Sequence, residues 1–331
     1  MKQGAKSIIT VPRHADGLRV DRFVINKLGI PPSLLFKLLR KRAITQVDDE
    51  GKSKRISGPD HVFSGMRLQI PDRLVTATVQ EKDGSNSNIT SDKEAASKFV
   101  SKLLPVIYET ETFSVFNKPP GLACQGGSKV KYSVDMLLAK IDNSEETGYR
   151  LVHRLDRDTT GALVVAKTRM SAQALTTAFS ERKVGKEYVA VVKGIPTEPQ
   201  GTISVPLLNT GTKTIAATES NLAKSAITKY RTLATGQFDN QDVAIISLNI
   251  LTGRKHQIRA HCAYVLGCPV LGDTKYATEC DSVEDSHRRM FLHLYRLTIK
   301  PDISVKAPFP GFWSRMFKQL NVSFSRSKKV N

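Results

Sequence analysis

The chain has 331 residues, of which 40% are hydrophobic, so it is long enough to bury a full core and to form more than one domain. Its 50 Lys and Arg residues outnumber its 31 Asp and Glu residues, which gives a formal net charge of +19. This excess favours nucleic acid as a partner, because cations that neutralise phosphates release condensed counterions. No apolar run approaches the ~20 residues of a membrane-spanning helix, so we expect no membrane partner.

The first residues predict a small α+β domain over 1–72. Apolar residues at helical spacing predict a helix that ends at Gly29, and Pro31-Pro32-Ser33 then begins a second helix. That helix and the residues after it carry a cluster of cations, namely Lys37, Arg40, Lys41 and Arg42. A basic helix is often only a solvated face, but the cluster continues into Lys52, Lys54 and Arg55, so we predict an RNA-binding surface.

Composition divides the rest of the chain into three parts. Residues 73–103 contain few large apolar side chains and no sustained period, which predicts a linker. Residues 104–310 alternate strand-like and helix-like segments without βαβ repetition, which predicts an α+β domain on a mixed, largely antiparallel sheet. Residues 196–222 are predicted to be a loop-rich insertion, the segment HQIRAHCAYVLG to be an amphipathic helix, and residues 311–331 to be a basic C-terminal tail.

The segment HRLDRD at 153–158 places six residues, five of them ionisable, just before an apolar strand. Taken alone, it is most often a salt-bridged loop. The glycine-rich loop and D-F-G motif of a kinase are absent, so a kinase catalytic loop is excluded. His153, Asp156 and Asp158 raise the possibility of a metal site, but their spacing matches no zinc-enzyme pattern, and none of the four cysteines forms a C-x-x-C pair.

Three other segments favour a further interpretation, namely a pocket that binds a nucleoside. The segment LTGRKHQIRAH supplies Arg259, a guanidinium that could hold Asp156 ionised and oriented. The segment KEYVAVVKG supplies Tyr188 and FLHLYRL supplies Leu292. In such a pocket the base stacks on the aromatic ring while the carboxylate faces the sugar.

These segments resemble the RluA-type pseudouridine synthases, which isomerise uridine in ribosomal and transfer RNA. HRLDRDTTG is similar to the first family signature, with Thr160 where serine is usual. TGRKHQIRAH and LGDTKY match a second and a third, and NKPPGLACQGG resembles the family's opening segment. The resemblance spans roughly residues 105–310. Residues 1–72 are more loosely similar to the ribosomal-protein-S-four-like RNA-binding domain, because QVDDEG replaces its usual turn.

The resemblance implies a role for each matching residue. Asp156 is the catalytic carboxylate, either as nucleophile at the anomeric carbon or as base at the neighbouring ribose carbon. Arg259 pairs with Asp156, Tyr188 stacks on the base and assists the final proton removal, and Leu292 packs on the other face of the base. Arg154 fills the gap that the flipped uridine leaves. Arg254 makes either a phosphate contact or a structural ion pair.

The same resemblance implies a chain that acts as a monomer on rRNA or tRNA without a metal, nucleotide or redox cofactor. Lys118 is expected to be solvated or to face phosphate, and His256 to be a scaffold residue. The basic amino-terminal segment, which lacks acidic residues, favours a mitochondrial location over the cytoplasm or nucleus. Two other interpretations remain open. One is an RNA-binding protein without activity, and the other is a metal hydrolase built on His153, Asp156 and Asp158.

Overall fold

The computed structural model describes residues 5–28, 30, 32–72, 74, 98–126, 130, 132–141, 148–276, 289–299 and 303–324. These residues fall into two compact units, one formed mainly by residues before 99 and one mainly by residues from 99 onward. Most of the predicted linker lies outside the described residues, but its last part, 98–103, is helical. In the part of the chain that is described, no helix is long and apolar enough to cross a bilayer.

The first unit contains the helices α1 (Val20–Leu28) and α2 (Pro32–Arg40). Their apolar residues recur every three or four positions, so each helix buries one face, as Leu35, Leu38 and Leu39 do on α2. An antiparallel sheet in the order β1-β4-β2-β3 completes the unit. Its strands are β1 (Lys6–Thr10), β2 (Thr45–Val47), β3 (Ser53–Lys54) and β4 (Arg67–Pro71). The likeness of this unit to the S-four-like domain, and its boundary at residue 72, stay predictions.

The second unit is built on a ten-stranded sheet, as far as the described residues show, whose main path runs β10-β13-β14-β9-β15-β8-β6-β5. Strand β16 pairs with β15 and β7 pairs with β8, and β11 and β12 form a separate hairpin. The strands are β5 (Val106–Glu109), β6 (Phe113–Lys118), β7 (Arg150–Leu151), β8 (Thr160–Ala166), β9 (Val184–Lys193), β10 (Gln200–Ile203), β11 (Leu207–Asn209), β12 (Thr214–Ala216), β13 (Thr228–Phe238), β14 (Gln241–Ile250), β15 (Leu292–Ile299) and β16 (Ile303–Lys306).

The pairing of these strands confirms the predicted fold class. Strands β8 and β15 pair in parallel, and the other described ladders are antiparallel, so the sheet is mixed and largely antiparallel. The predicted loop-rich insertion contains β10, β11 and β12, which are too short to give a periodic signal in the sequence. Strand β8 is buried along its whole length, as expected of a strand inside a sheet covered on both faces.

The helices that follow in chain order are α3 (Val134–Ile141), α4 (Arg169–Ser180), α5 (Gln257–Tyr264) and α6 (Trp313–Gln319). Helix α4 begins with a capping box between Thr168 and Ser171. The prediction of an amphipathic α5 is wrong in one respect, since its first six residues are all buried. Polar side chains on this helix therefore need internal partners, and several of them are the site residues described below.

The predicted basic tail from residue 311 is also corrected by the structure. Trp313 and Met316 of α6 are fully buried in a core cluster that includes Val189 of β9 and Ile245 of β14. Beyond the helix, Phe324 contacts the rings of Tyr295 and Phe309. Aromatic burial therefore makes residues 313–324 part of the second unit, and the abundant Arg and Lys residues there mask these apolar anchors in the sequence.

Candidate active site

Asp156 lies in the loop between β7 and β8, and the neighbouring residue fixes that loop. Leu155 is buried, its N–H donates to Sγ of Cys124 over 3.2 Å, and that thiol donates to the Leu155 carbonyl over 3.3 Å. The Thr159 N–H closes a turn onto the Asp156 carbonyl at 3.1 Å. The Asp156 side chain itself keeps 23% of its surface exposed. The loop therefore holds a partly accessible carboxylate on an anchored backbone.

The strand after this loop packs unusually close to its neighbour. Gly161 has φ +112°, and a Cβ at this position would overlap the backbone of Leu294 on β15. Next to it, the Thr160 hydroxyl lies 2.8 Å from Nδ1 of His293, whose Nε2 lies 3.2 Å from the Ala307 carbonyl. A carbonyl only accepts, so Nε2 of His293 donates and Thr160 donates to Nδ1. Glycine and threonine here join β8 to β15, so their role in this structure is to hold the two strands together.

Arg259, on α5, is held by two carboxylates. Its Nε and Nη2 donate to Asp273 at 2.6 and 2.7 Å, which is a bidentate pair, and its Nη1 donates to Asp156 at 3.1 Å. Burial opposes the charge of Arg259, but its hydrogen bonds to Asp273 and the charges of Asp273 and Asp156 raise its pKa above the usual value. The guanidinium is therefore permanently charged, and its fork is fixed on Asp273 with one nitrogen directed at Asp156.

Asp273 was not identified from the sequence, although its motif LGDTKY was. Its side chain is fully buried, and its Oδ1 also accepts from the backbone N–H of Lys275 at 3.0 Å. One signal could have indicated that such a residue exists, because a buried arginine almost always has a carboxylate partner. The sequence could not show which of the chain's acidic residues supplies it.

The start of α5 depends on Gln257. Its Oε1 accepts from the Thr252 hydroxyl at 2.8 Å and from the Arg254 N–H at 3.0 Å, and its Nε2 donates to the Ile227 carbonyl and the Thr228 hydroxyl. One amide thus satisfies the turn before α5 and attaches it to β13. This network positions Arg259, which follows Gln257 on the helix, and His256, which directly precedes Gln257.

His256 lies beside the Asp156 carboxylate, a proximity that was not predicted from the sequence. Its Nε2 lies 3.8 Å from Oδ2 of Asp156, and its Nδ1 lies 3.0 Å from the Tyr276 hydroxyl. Burial lowers the pKa of His256, and Arg259, Lys275 and Lys255 lower it further, while Asp156 opposes them. The imidazole is therefore neutral at physiological pH.

Tyr188 and Leu292 lie on one face of the sheet. In the β9–β15 ladder Leu292 is opposite Ala190 and Leu294 is opposite Tyr188, so these side chains project to the same side. Both Tyr188 and Leu292 are buried. Burial and, secondarily, the charge of Asp156 raise the pKa of Tyr188, so its phenol is neutral. A neutral phenol can stack and donate a hydrogen bond, but it must first lose its own proton to act as the base that the resemblance implies.

The predicted cations at the site have different environments. Arg154 is exposed. Arg254 is also exposed, but its Nε donates to the Ser225 carbonyl at 3.0 Å, so it braces the turn and keeps the rest of its guanidinium available. In the first unit the four predicted RNA-binding cations are all exposed: Lys37, Arg40, Lys41 and Arg42.

Lys118 contradicts the expectation of a solvated or phosphate-facing cation. It is fully buried, and its Nζ donates to the carbonyls of Pro119, Leu122 and Arg157 at 2.8, 2.8 and 2.9 Å. Burial lowers its pKa to about 8, although the nearby Cys124, Asp158 and Asp156 oppose this shift. Its ammonium connects the loop after β6 to the loop that carries Asp156, so this lysine has a structural role within the site.

The contacts of His153 argue against the metal-hydrolase interpretation. Nε2 of His153 accepts the N–H of Val164 at 2.8 Å, and its ring stacks on Phe179 at 4.7 Å. This nitrogen is therefore not available as a ligand beside Asp156, and Asp158 pairs with Arg157 instead. In the described ranges, no three His, Cys, Asp or Glu side chains are grouped so that they could hold a metal ion.

Comparison with known proteins identifies the family of this chain. Residues 112–264 match the RNA pseudouridylate synthase family. The chain is 32% identical to a Rickettsia bellii protein named ribosomal large subunit pseudouridine synthase C, over 84% of this chain and 89% of that protein. It is 34% identical to an Arabidopsis thaliana protein named RNA pseudouridine synthase 4, mitochondrial, over 77% of this chain and 59% of the relative.

Solved structures agree with this assignment. The structure of human RNA pseudouridylate synthase domain containing 1 aligns with a TM-score of 0.55 and 28% identity, over 68% of this chain and 97% of that one. Human RNA pseudouridylate synthase domain containing 4 aligns with a TM-score of 0.57 over 72% and 99%, and at 24% identity it supports the fold alone. The chain belongs to the RluA-type pseudouridine synthase family and is an isomerase that converts uridine in RNA to pseudouridine.

Proposed function

We propose that Asp156 is the catalytic carboxylate of this isomerase. The observation that carries the proposal is the contact of its Oδ2 with Nη1 of Arg259 at 3.1 Å, in a loop fixed by neighbours on both sides. The guanidinium is itself bound to Asp273, so it cannot turn away from Asp156 without breaking a buried ion pair. A carboxylate held in this way is ionised and preorganised before RNA arrives.

The reaction rearranges bonds within one nucleoside. The bond between N1 and the anomeric carbon breaks with its electron pair on the uracil, the base turns, and C5 bonds to the anomeric carbon. The proton on C5 is then lost and N1 gains one, so the product is an isomer of the substrate. Asp156 serves either as nucleophile at the anomeric carbon or as base at the adjacent ribose carbon, and both routes use its ionised form.

The other side chains act on the base and on the strand. Tyr188 stacks on the uracil, and Leu292, on the same face of the sheet, packs against it. Because the phenol of Tyr188 is neutral, it assists the loss of the C5 proton only after giving up its own. The exposed guanidinium of Arg154 takes the place of the flipped uridine, and a flip costs least where the base is already in a loop.

The target we propose is a uridine in large-subunit ribosomal RNA, in the mitochondrion, and the enzyme acts as a monomer without a cofactor. Two relatives support the target and the location, one named for the ribosomal large subunit and one named as mitochondrial. A transfer RNA is the other substrate class that the family resemblance allows. Residues 1–72 are proposed to bind the RNA through the exposed cations around α2, which precede a linker over 73–103 and the catalytic domain.

Mapping pseudouridine in total and mitochondrial RNA, from cells with and without the protein, tests this function. We expect one or a few uridines to lose modification when the protein is absent or carries Asp156→Asn, which keeps the shape of the side chain but removes its charge. Asp158→Asn is the matched control, since Asp158 is in the same loop but pairs with Arg157. Unchanged maps would refute the function, and rescue of the sites by Asp156→Asn would refute the role of Asp156.

A further inference from the structure

His256 has an unusual backbone conformation at the edge of the site. It precedes α5 with φ 53° and ψ 23°, the left-handed region, where residues other than glycine and asparagine are strained by ~1 kcal/mol. No hydrogen bond from its side chain caps the helix, so the strain serves no capping purpose. The conformation instead directs the imidazole to Asp156, at 3.8 Å, and to Tyr276, at 3.0 Å.

The partners of the two ring nitrogens define the tautomer. The Tyr276 oxygen accepts the Thr214 N–H at 2.8 Å, and burial raises the pKa of Tyr276, so its hydroxyl keeps a proton to donate. Nδ1 of His256 accepts this hydrogen bond when the ring carries its hydrogen on Nε2. On the other side of the ring, Oδ2 of Asp156 would repel a lone pair on Nε2 and attract an N–H. The tautomer with hydrogen on Nε2 satisfies both contacts.

Two donors therefore converge on one carboxylate oxygen. Arg259 donates to Oδ2 of Asp156 at 3.1 Å, and Nε2 of His256 lies 3.8 Å from the same atom. The longer distance exceeds a hydrogen bond in the free protein, but such contacts often shorten when substrate binds. Within the described residues, no donor reaches Oδ1, so that oxygen is free for the substrate.

We propose that His256 is a positioning residue that donates Nε2–H to Oδ2 of Asp156 in the RNA complex and so leaves Oδ1 to act on the ribose. Tyr276 and the β11–β12 hairpin, through the Thr214 N–H, maintain the required tautomer. This inference rests on the proposed role of Asp156. It differs from a scaffold role because it ties His256 to the ionisation and aim of the carboxylate.

Two substitutions test the Nε2–H donor of His256 separately from the rest of its imidazole ring. His256→Asn tolerates the left-handed backbone and keeps a polar group near the Nδ1 position, but it has nothing at Nε2. His256→Gln places an N–H close to the Nε2 position. The probe is RNA labelled with tritium at C5 of uridine, from cells lacking the protein, because pseudouridine formation releases the C5 hydrogen to water. Single-turnover rates with saturating full-length enzyme are measured from pH 5 to 9, with thermal melting to check folding.

We expect His256→Asn to lower the saturating rate at least about tenfold, as for loss of one donor at a reacting group, while the RNA concentration for half-maximal rate changes less than about twofold. Charged neighbours of the ring, Arg259, Lys275 and Lys255, remain in both variants. His256→Gln should stay within about threefold of wild type, and Tyr276→Phe should lie between the two.

Two results would overturn the inference. One is a wild-type rate for His256→Asn. The other is an equal loss in the Asn and Gln variants, as a scaffold role predicts. Asp156→Asn is assayed in parallel: if it still releases tritium, the proposed function of Asp156 fails, whatever the His256 variants show.

Discussion

The charged residues around Asp156 and those around α2 differ in how they are bound. Arg259 is buried and holds two carboxylates, and Lys118 is buried against three carbonyls. The cations of α2 and the residues after it are exposed, and the Nε of Arg40 donates only to the carbonyl of Phe36, one turn earlier. Fixed charges suit a reaction that needs one geometry, and exposed charges suit a flexible polyanion whose counterions they displace.

The largest effect is expected from Asp273→Asn, which breaks the buried pair. The buried guanidinium of Arg259 then keeps Asp156 as a charged partner but loses its bidentate one, and breaking a buried pair typically costs ~3–5 kcal/mol of unfolding free energy. Its fork would no longer be fixed on Asp273 in the orientation that directs Nη1 at Asp156, so the single-turnover rate should fall at least about 100-fold. Urea unfolding and tritium release measure both effects. Asp158→Asn, in an exposed pair, is the control and should change stability by less than about 1 kcal/mol. Comparable losses in the two variants would remove the distinction between fixed and exposed charge.

A smaller effect on stability is expected at His293, because its buried side chain is a neutral ring and not a fixed charge as in Arg259. Burial lowers its pKa to about 4, against an opposing contribution from the Ala307 carbonyl. In the unfolded chain the pKa is ~6.5, so the unfolded state binds more protons between pH 6.5 and 4. The stability contributed by the neutral ring is therefore complete above pH 6.5 and is lost as the pH falls towards 4.

Between pH 7 and pH 5 this loss amounts to ~2 kcal/mol for a single histidine, measured by urea unfolding at the two pH values. His293→Gln keeps an N–H donor for the Ala307 carbonyl but does not titrate. The variant should therefore lose less stability than wild type over the same interval. Equal losses would show that the ring is protonated or exposed in the folded protein.

The smallest effect on folding and on the chemical step is expected from replacing Lys37, Arg40, Lys41 and Arg42 together by Ala. Surface charges of this kind change stability by ~0.5 kcal/mol or less each, and the saturating rate should stay within about twofold. RNA affinity should fall, and the slope of log K against log[salt] should become shallower by ~0.7 for each lost phosphate contact with a single strand. Filter binding from 50 to 300 mM salt measures this slope. An unchanged slope would mean that these cations face only solvent.

Local patterns in the sequence predicted much of the scaffold. Apolar residues at helical spacing predicted α1 and α2. Strand β9 follows from a run of β-branched residues within KEYVAVVKG. The short strands β10, β11 and β12 were missed, because three or four residues carry no periodicity. In addition, β10 pairs with β13, which lies further along the chain.

The chain order of the motifs alone determined the family, since several signatures in sequence are far more specific than any one of them. It also predicted that Asp156, Arg259 and Tyr188 belong to one site. Only the tertiary structure decided what each charge contacts: that Arg259 binds Asp273 before it reaches Asp156, that Lys118 is buried, and that His256 faces the carboxylate. The physical reason is that hydrogen bonds and ion pairs depend on distance in space. Residues far apart in the chain are brought together by the tertiary fold, and no local sequence pattern shows which of them are in contact.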